Sequence, residues 1–65
     1  MNVNEIAKTI KTRRKQRKLT QQELAEMLGC GVNFIKAVEA GKTNLQLQRY
    51  LDLLDFLGIE INSNS

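Results

Sequence analysis

The side chains of this sequence that could do chemistry are amides, hydroxyls and cations, and they stand without the usual catalytic partners. The 65 residues contain no histidine and one cysteine, Cys30. Both serines lie in the last three residues, and Asp52 and Asp55 lie on an apolar-patterned segment that offers no pocket. Nucleophilic, acid–base and zinc chemistry need several such groups together, so the sequence predicts a protein that is not an enzyme and has no metal or cofactor.

Positive charge is the clearest indication of a partner. Ten Lys and Arg residues against seven Asp and Glu residues give a net charge of +3. Seven of the ten basic residues occupy one stretch without acids: Lys8, Lys11, Arg13, Arg14, Lys15, Arg17 and Lys18. After Tyr50 the charged residues are all acidic: Asp52, Asp55 and Glu60. A basic side favours an anionic partner, whereas a solvated helix face explains the outer basic residues equally well.

The length of the chain limits it to one domain with a small core. A domain of this size buries only about 60% of the surface that its unfolded chain exposes, so cross-links, metals or partner subunits often support it. A single cysteine cannot form an internal disulfide. We therefore expect the chain to associate with itself.

The sequence predicts neither a membrane span nor a signal peptide, because its uninterrupted apolar stretches are only two or three residues long. A basic helix lying on an anionic membrane is disfavoured as well. Only Ile6, Ala7 and Ile10 would enter the lipid boundary, and neither Trp nor Phe anchors that segment. We therefore expect a cytoplasmic protein.

The chain is divided by glycines into segments whose apolar residues recur at helical spacing, and it contains no proline. This pattern predicts an all-α domain of four helices joined by short turns over residues 1–61. A disordered polar tail is predicted over residues 62–65. The first helix is predicted from Asn4 to Arg17.

The second and third helices are predicted to be short and close together. Thr20 and Glu23 fit a capping box, which starts the second helix at Gln21, and Gly29 is free to end it. A third helix follows within a few residues, and Gly41 closes it. Two short helices joined by such a tight turn form a helix-turn-helix unit.

A fourth helix is predicted next, capped by Thr43 with Gln46 or by Asn44 alone. Its predicted core stripe is Leu47, Leu51, Leu54 and Leu57. Further apolar residues give this helix more apolar surface than a four-helix domain needs. Apolar and polar side chains alternate over residues 59–61, which is typical of a very short strand. The residues predicted to contact a partner are Tyr50, Leu53, Phe56, Ile59 and Ile61.

Two spaced segments resemble the Xre/Cro/cI-type helix-turn-helix regulators of phages and bacteria. One is the segment 19–25 with Gly29, and the other runs from Phe34-Ile35 to Glu39-Ala40-Gly41-Lys42. The resemblance covers roughly residues 6–61. The stretch 41–47, with the leucines that follow it, is most similar to HipB-like antitoxins. The resemblance implies a compact four-helix lambda-repressor-like domain that binds double-stranded DNA.

The resemblance also implies that the start of the third helix enters the major groove. The positions that face DNA or support the reading edge are Val32, Asn33, Phe34, Lys36 and Ala37. Asn33 is the strongest base-reading candidate, because its amide can pair with N6 and N7 of adenine. Val32 can pack on a thymine methyl group, and Lys36 can reach guanine or a phosphate. Half-sites containing A·T pairs are therefore favoured.

Other positions match phosphate-contacting residues of the family. They are Arg14, Thr20, Gln21, Lys42, Thr43 and Asn44. Arg14 and Glu39 also match an Arg-Glu pair that links the first helix to the end of the third, so we interpret Arg14 as structural first. The chain departs from the family at Gly31, where Ser or Thr commonly caps the reading helix, and at Arg13, where an apolar residue is usual.

The resemblance predicts a sequence-specific transcriptional regulator, a repressor that binds a palindromic operator as a homodimer. The alternative is an antitoxin that binds and neutralises a HipA-like kinase toxin and regulates its own operon. Either function would place the protein on the nucleoid in the bacterial cytoplasm.

Overall fold

The computed structural model describes residues 2–42 and 45–60. Within them the chain forms four α-helices: α1 Val3–Gln16, α2 Gln21–Leu28, α3 Val32–Glu39 and α4 Leu47–Phe56. The predicted all-α four-helix fold is thereby confirmed. The molecule measures 34 × 25 × 17 Å. Of the helices described, none is both long enough and apolar enough to cross a membrane.

Side-chain caps begin the first two helices. Asn2 Oδ1 accepts a hydrogen bond from the Glu5 N–H at 2.9 Å, and Thr20 Oγ1 accepts one from the Glu23 N–H at 3.0 Å. Each glutamate in turn accepts from the N–H of its cap residue, at 3.0 and 2.8 Å. The capping box predicted at Thr20 is confirmed, and α2 begins at Gln21 as expected.

The start of α4 differs from the prediction. The helix begins at Leu47 with Gln46 at the N-cap position, and the predicted caps Thr43 and Asn44 lie outside the described residues. The Gln46 side chain does not cap the helix. Its Oε1 accepts instead from Nε of Arg49 at 3.1 Å.

All four helices end in the same hydrogen-bond pattern. The chain turns through a residue with positive φ, namely Lys18 (59°), Gly29 (72°), Gly41 (81°) and Gly58 (69°). The next N–H donates to the carbonyl five residues earlier, as Leu19 does to Arg14 at 3.1 Å. Lys18 is the only non-glycine residue with positive φ in the described part of the chain, and this conformation costs an L-residue about 1–2 kcal/mol.

The hydrophobic core lies where the four helices meet, and α3 packs against both α1 and α2. The buried apolar residues are Ile6, Ala7, Ile10, Leu24, Ala25, Ile35, Val38, Leu53, Leu54, Leu57 and Ile59. Cys30, in the turn between α2 and α3, is half-buried and packs against this core. The helix-turn-helix pair is thus fixed by apolar contacts on its inner side.

The core stripe predicted for α4 is wrong at two of its four positions. Leu54 and Leu57 are buried as predicted, but Leu47 and Leu51 are 69% and 43% exposed. Leu53, predicted to contact a partner, is instead fully buried. The inward stripe steps from position 50 through 53 and 54 to 57, which is helical spacing, so positions 47 and 51 lie to one side of it.

The strand predicted over residues 59–61 does not form at its described positions, Ile59 and Glu60. Ile59 is 7% exposed and packs into the core, and its N–H donates to the Leu54 carbonyl at 2.8 Å as the last bond of the α4 end. That N–H is therefore not free to pair with another strand. Ile61 and the predicted tail lie outside the described residues.

Candidate nucleic-acid interface

The helix α3 has one face in the core and the opposite face in solvent. Ile35 and Val38 are 0% and 1% exposed and anchor the helix. Asn33 and Lys36 are exposed, and Ala37 is half-buried beside them. Helical spacing places these three residues away from the buried pair. The first turns of α3 therefore present an amide, an ammonium group and a small apolar side chain outward.

The outward face of α3 forms a shallow depression. Its lining residues are Asn33, Lys36, Ala37, Ala40 and Lys42. Three of the five predicted base-reading residues thus share one surface with Lys42, which is predicted to contact phosphate. The small side chains of the two alanines leave the depression open. The amide and the two ammonium groups around them offer hydrogen-bond donors. We call these five residues the reading face.

Val32 and Phe34 flank the reading face and partly pack against the core. Both side chains are half-buried, so much of their surface supports the helix from below. Val32 retains exposed apolar surface that suits the methyl contact predicted for it. Phe34 lies on the other flank of α3, and its support of the reading edge stays a prediction.

Arg14 and Glu39 form the predicted ion pair. Arg14 Nε lies 2.6 Å from Glu39 Oε2, and Arg14 Nη2 lies 3.1 Å from Glu39 Oε1. The two side chains are only 9% and 4% exposed. Arg14 Nη1 also donates to the Leu19 carbonyl at 2.8 Å, and Gln21 Nε2 donates to Glu39 Oε1 at 3.2 Å. This network joins α1, the turn after it, the start of α2 and the end of α3.

The network agrees with the structural role predicted first for Arg14, and the phosphate contact of this residue stays a prediction. The residue is 7% exposed, and its guanidinium edges are turned toward acceptors within the protein. Gln21 is half-buried and commits an amide N–H to Glu39. Thr20 is exposed, and its hydroxyl accepts a bond from Glu23, so its own proton remains available to a phosphate.

Two further phosphate candidates, Thr43 and Asn44, lie outside the described residues. Lys42 is exposed and belongs to the reading face. The structure thus brings Lys42 together with the base-reading candidates, and it leaves Thr20 at the N-terminus of α2, where helix dipoles favour anions.

Sequence reasoning missed a second use of the basic stretch. Arg13 Nη1 donates to the carbonyls of Leu57 and Gly58 at 2.9 and 3.3 Å. Arg17 Nη1 donates to the Phe56 carbonyl at 2.9 Å, and its guanidinium lies 5.6 Å from the centre of the Phe56 ring. These cations bind the C-terminal carbonyls of α4, where a helix attracts positive charge. The unusual Arg13 and its spacing of four from Arg17 were the available signals.

Arginine and lysine therefore divide the basic stretch between them. Its three arginines bind acceptors within the protein, as described above for Arg13, Arg14 and Arg17. Its four lysines are exposed: Lys8, Lys11, Lys15 and Lys18. The planar guanidinium suits fixed carbonyl and carboxylate partners, whereas lysine side chains stay hydrated. Only Arg14 is paired with a carboxylate, so the exposed positive charge of this stretch lies on the four lysines and on Arg17.

The residues predicted to contact a partner lie in different environments. Leu53 and Ile59 are 0% and 7% exposed, so their prediction as contact residues is corrected: their side chains belong to the core of the domain. Tyr50 and Phe56 are half-buried and pack against that core, and Ile61 lies outside the described residues. Burial raises the pKa of Tyr50 above its usual value of 10.0.

The two short helices, the tight turn between them and the exposed reading face define a helix-turn-helix DNA-binding domain. The helix-turn-helix family model HTH_3 matches residues 10–63, and the chain belongs to this Xre-type family of DNA-binding regulators.

Relatives and solved structures agree with this assignment. The uncharacterized HTH-type transcriptional regulator y4mF of Sinorhizobium fredii is 38% identical over 58 residues, which cover 89% of this chain and 76% of the relative. A structure described as MDT Protein matches with a TM-score of 0.82, and a chain of the HipA-HipB-O2-O3 complex matches with a TM-score of 0.83. Both are 25% identical and cover 100% of this chain and 92% of the other. The resemblance inferred from the sequence is confirmed.

Proposed function

We propose that this protein is a transcriptional repressor that binds a two-fold symmetric operator as a homodimer. The observation that carries the proposal is the reading face, where Asn33, Lys36 and Lys42 surround two small alanines on the outward side of α3. The relative described as a transcriptional regulator supports the regulatory role. A small DNA-binding domain that occupies its operator can repress transcription by blocking access to that DNA.

The reading face suits the major groove, which is about 12 Å wide and admits one α-helix. Asn33 would read adenine through two hydrogen bonds, a contact that discriminates against the wrong base by about 1–3 kcal/mol. Lys42 and Thr20 would bind phosphates on either side of the major groove and fix the position of α3 within it. The buried pair of Arg14 and Glu39 would hold α3 at a fixed angle.

We infer a homodimer because one domain contacts only a short length of DNA. The molecule is 34 Å in its longest dimension, and its reading face covers a few base pairs only. Successive major-groove faces of one side of DNA lie about 34 Å apart, so two copies side by side would read two half-sites. Weak contacts from each copy would then combine through effective concentration.

Selection from random duplexes and a reporter assay test this function together. We expect the selected sites to be two-fold symmetric, with half-site centres about 10 base pairs apart. A reporter driven by the selected site should be repressed, and Asn33→Ala should relieve the repression. Lys8→Ala is the matched control, because Lys8 is exposed on α1 and lies outside the reading face. Selected duplexes that share no two-fold symmetric site would contradict the proposal. Equal repression by wild type and Asn33→Ala would contradict it as well.

A second candidate function is that of an antitoxin. The similarity to a chain of the HipA-HipB-O2-O3 complex, with a TM-score of 0.83 over 100% of this chain, favours it specifically. The chain would then bind a HipA-like kinase and neutralise it while repressing the shared operon. DNA binding and kinase binding would use different surfaces, because the reading face must stay open to DNA.

Co-expression tests the antitoxin function. If a gene for a HipA-like kinase lies beside that of this protein, we expect the kinase alone to arrest growth and co-expression of this chain to restore it. The purified pair should elute together in gel filtration. An Asn33→Ala variant should still restore growth, since it alters DNA reading alone. Failure of the wild-type chain to restore growth or to co-elute would contradict the antitoxin function and leave the repressor function in place.

A further inference from the structure

The helix α4 presents an apolar side to solvent. Leu47 and Leu51 lie one turn apart on this side and are 69% and 43% exposed. Beside Leu47 is a hollow of about 200 Å³, lined by Val3, Ile6, Lys42, Leu45, Leu47 and Tyr50. Together the two leucines and the hollow form one contiguous apolar patch, the kind of surface that protein–protein contacts use.

Charges of opposite sign bound this surface at its two ends. Lys42 lies at the end where α4 begins, since it lines the hollow together with Leu47. Asp55 follows Leu51 by one helical turn on the same side of α4 and is exposed. The order along the surface is therefore a cation, two leucines and an anion. We call Lys42, Leu47, Leu51 and Asp55 the α4 face.

We propose that the α4 face binds the α4 face of a second copy of this chain, with the two α4 helices antiparallel around a two-fold axis between Leu47 and Leu51. The rotation that exchanges the copies places each Lys42 opposite Asp55 of the other copy, and leucines opposite leucines. A surface with this charge order is its own complement, which is what an isologous contact requires. This inference rests on the homodimer of the proposed function and names its surface.

The position of the α4 face agrees with the geometry of an operator. Lys42 lines both the hollow and the reading face, so the two surfaces adjoin. A second copy docked on the α4 face would therefore carry its own reading face next to the same contact, at the opposite end of the antiparallel pair of helices. Two reading faces directed toward the same side are needed to contact successive major grooves of one duplex. A contact on the far side of the domain would separate them.

Sedimentation equilibrium without DNA, on the full chain, tests the α4 face. We expect Leu51→Glu to raise the dimer dissociation constant at least about tenfold, because it places two carboxylates near the axis in an apolar contact. Met27→Glu is the matched control, since Met27 is also a large apolar residue, is 61% exposed, and lies on α2 outside the hollow. It should leave the dissociation constant unchanged.

A charge exchange tests the orientation of the two helices. Asp55→Lys alone and Lys42→Asp alone should each weaken the dimer, and the double variant should recover most of the loss. Asp52→Lys is the control, because Asp52 carries the same charge on α4 but lies beside Leu28, Cys30 and Arg49 and outside the hollow. Its carboxylate accepts from Gln48 Nε2 at 2.9 Å. Circular dichroism of each variant checks that the helices are intact.

The outcomes separate the interface from the proposed function. Weakening by Leu51→Glu and Asp55→Lys, with recovery in the charge exchange, supports the α4 face. A wild-type dimer that none of these variants weakens overturns the α4 face but leaves the homodimer standing. If Leu51→Glu then abolishes co-elution with a kinase, the face belongs to that partner instead. A wild-type monomer at micromolar concentration, with and without DNA, overturns both the interface and the homodimer.

Discussion

Arg14 and Glu39 are joined at two points, with Nε to Oε2 at 2.6 Å and Nη2 to Oε1 at 3.1 Å. This pair connects α1 to the last residue of α3, and Gln21 adds a bond from α2 to the same carboxylate. The helix α3, which carries most of the reading face, is therefore joined to α1 and α2 by one buried polar network. Its loss should destabilise the domain.

Removing one member of the pair should be costly. Arg14→Met or Glu39→Leu alone leaves a charge buried without its partner, which typically costs about 3–5 kcal/mol of unfolding free energy. The double variant replaces both groups with apolar side chains and should regain most of that loss. Urea denaturation followed by circular dichroism measures all three. A double variant no more stable than either single one would show that the pair does not behave as a unit.

Lys42 and Asn33 should affect DNA binding in different ways. Lys42→Ala should weaken binding to all duplexes alike and reduce the slope of log affinity against log salt by about 1. Asn33→Ala should cost about 1–3 kcal/mol on the preferred site and flatten the preference at one base pair. Titrations on cognate and random duplexes over a salt series measure both effects.

Lys8→Ala is the control for that experiment, because it removes the same charge from the outer side of α1. We expect a smaller loss than for Lys42→Ala. Equal losses on cognate and random DNA for Asn33→Ala and Lys42→Ala would refute the division between base reading and phosphate binding. Selected sites with only G·C pairs at the contacted positions would reject Asn33 as an adenine reader.

Local patterns in the sequence predicted the ends of helices, because a helix end depends on a few neighbouring residues. The capping box at Thr20 and the left-handed turn at Gly29 each depend on a few neighbouring residues, and the structure confirms both. The choice between the two apolar sides of α4 depends on how that helix packs against the others. The sequence pattern allowed two stripes, and the prediction placed Leu47 inside and Leu53 outside, which is the reverse of the structure.

The candidate site was predictable to a similar degree. The pairing of Arg14 with Glu39 and the outward position of Asn33 followed from the resemblance to a known family, and the structure agrees with both. The unusual Arg13 and its spacing from Arg17 indicated a special role, but their acceptors were not predictable, since these are carbonyls 39 to 45 residues away along the chain. Backbone carbonyls leave no trace in the side-chain pattern.

Lys18 is a site where one substitution should stabilise the protein. It adopts a φ of 59° at the end of α1, where the other three helices have glycine. Lys18→Gly removes the steric cost of this conformation but adds freedom to the unfolded chain, so we expect a net gain of about 0.5–1 kcal/mol. Urea denaturation measures the change. A loss of stability would contradict this account of the turn.

Gly29→Ala provides the opposite substitution at an equivalent turn. A Cβ atom at Gly29 would meet no atom within 4 Å, so only the backbone conformation at φ 72° opposes it. We expect a loss of about 1 kcal/mol. An unchanged stability would mean that the left-handed turns of this protein are relaxed enough to accept any residue.

Tyr50 should report on folding at alkaline pH. It is the one tyrosine of the chain, and burial raises its pKa above 10.0 in the folded protein. The unfolded chain therefore loses this proton first, so the stability from the neutral phenol is fully present below pH 10 and is lost as pH rises through the raised pKa. Tyrosinate absorbance should appear at higher pH in the native protein than in urea. Coincident titration curves would contradict this placement of Tyr50.

The proposed repressor requires that the reading face recognise a specific DNA sequence. Fluorescence anisotropy of the purified protein, on the duplex upstream of its own gene and on a shuffled duplex, tests it at two salt concentrations. We predict a preference for the native duplex that persists at the higher salt, because base contacts survive when phosphate contacts are screened. Equal binding to both duplexes that disappears with salt would show an electrostatic attraction alone and would contradict the claim.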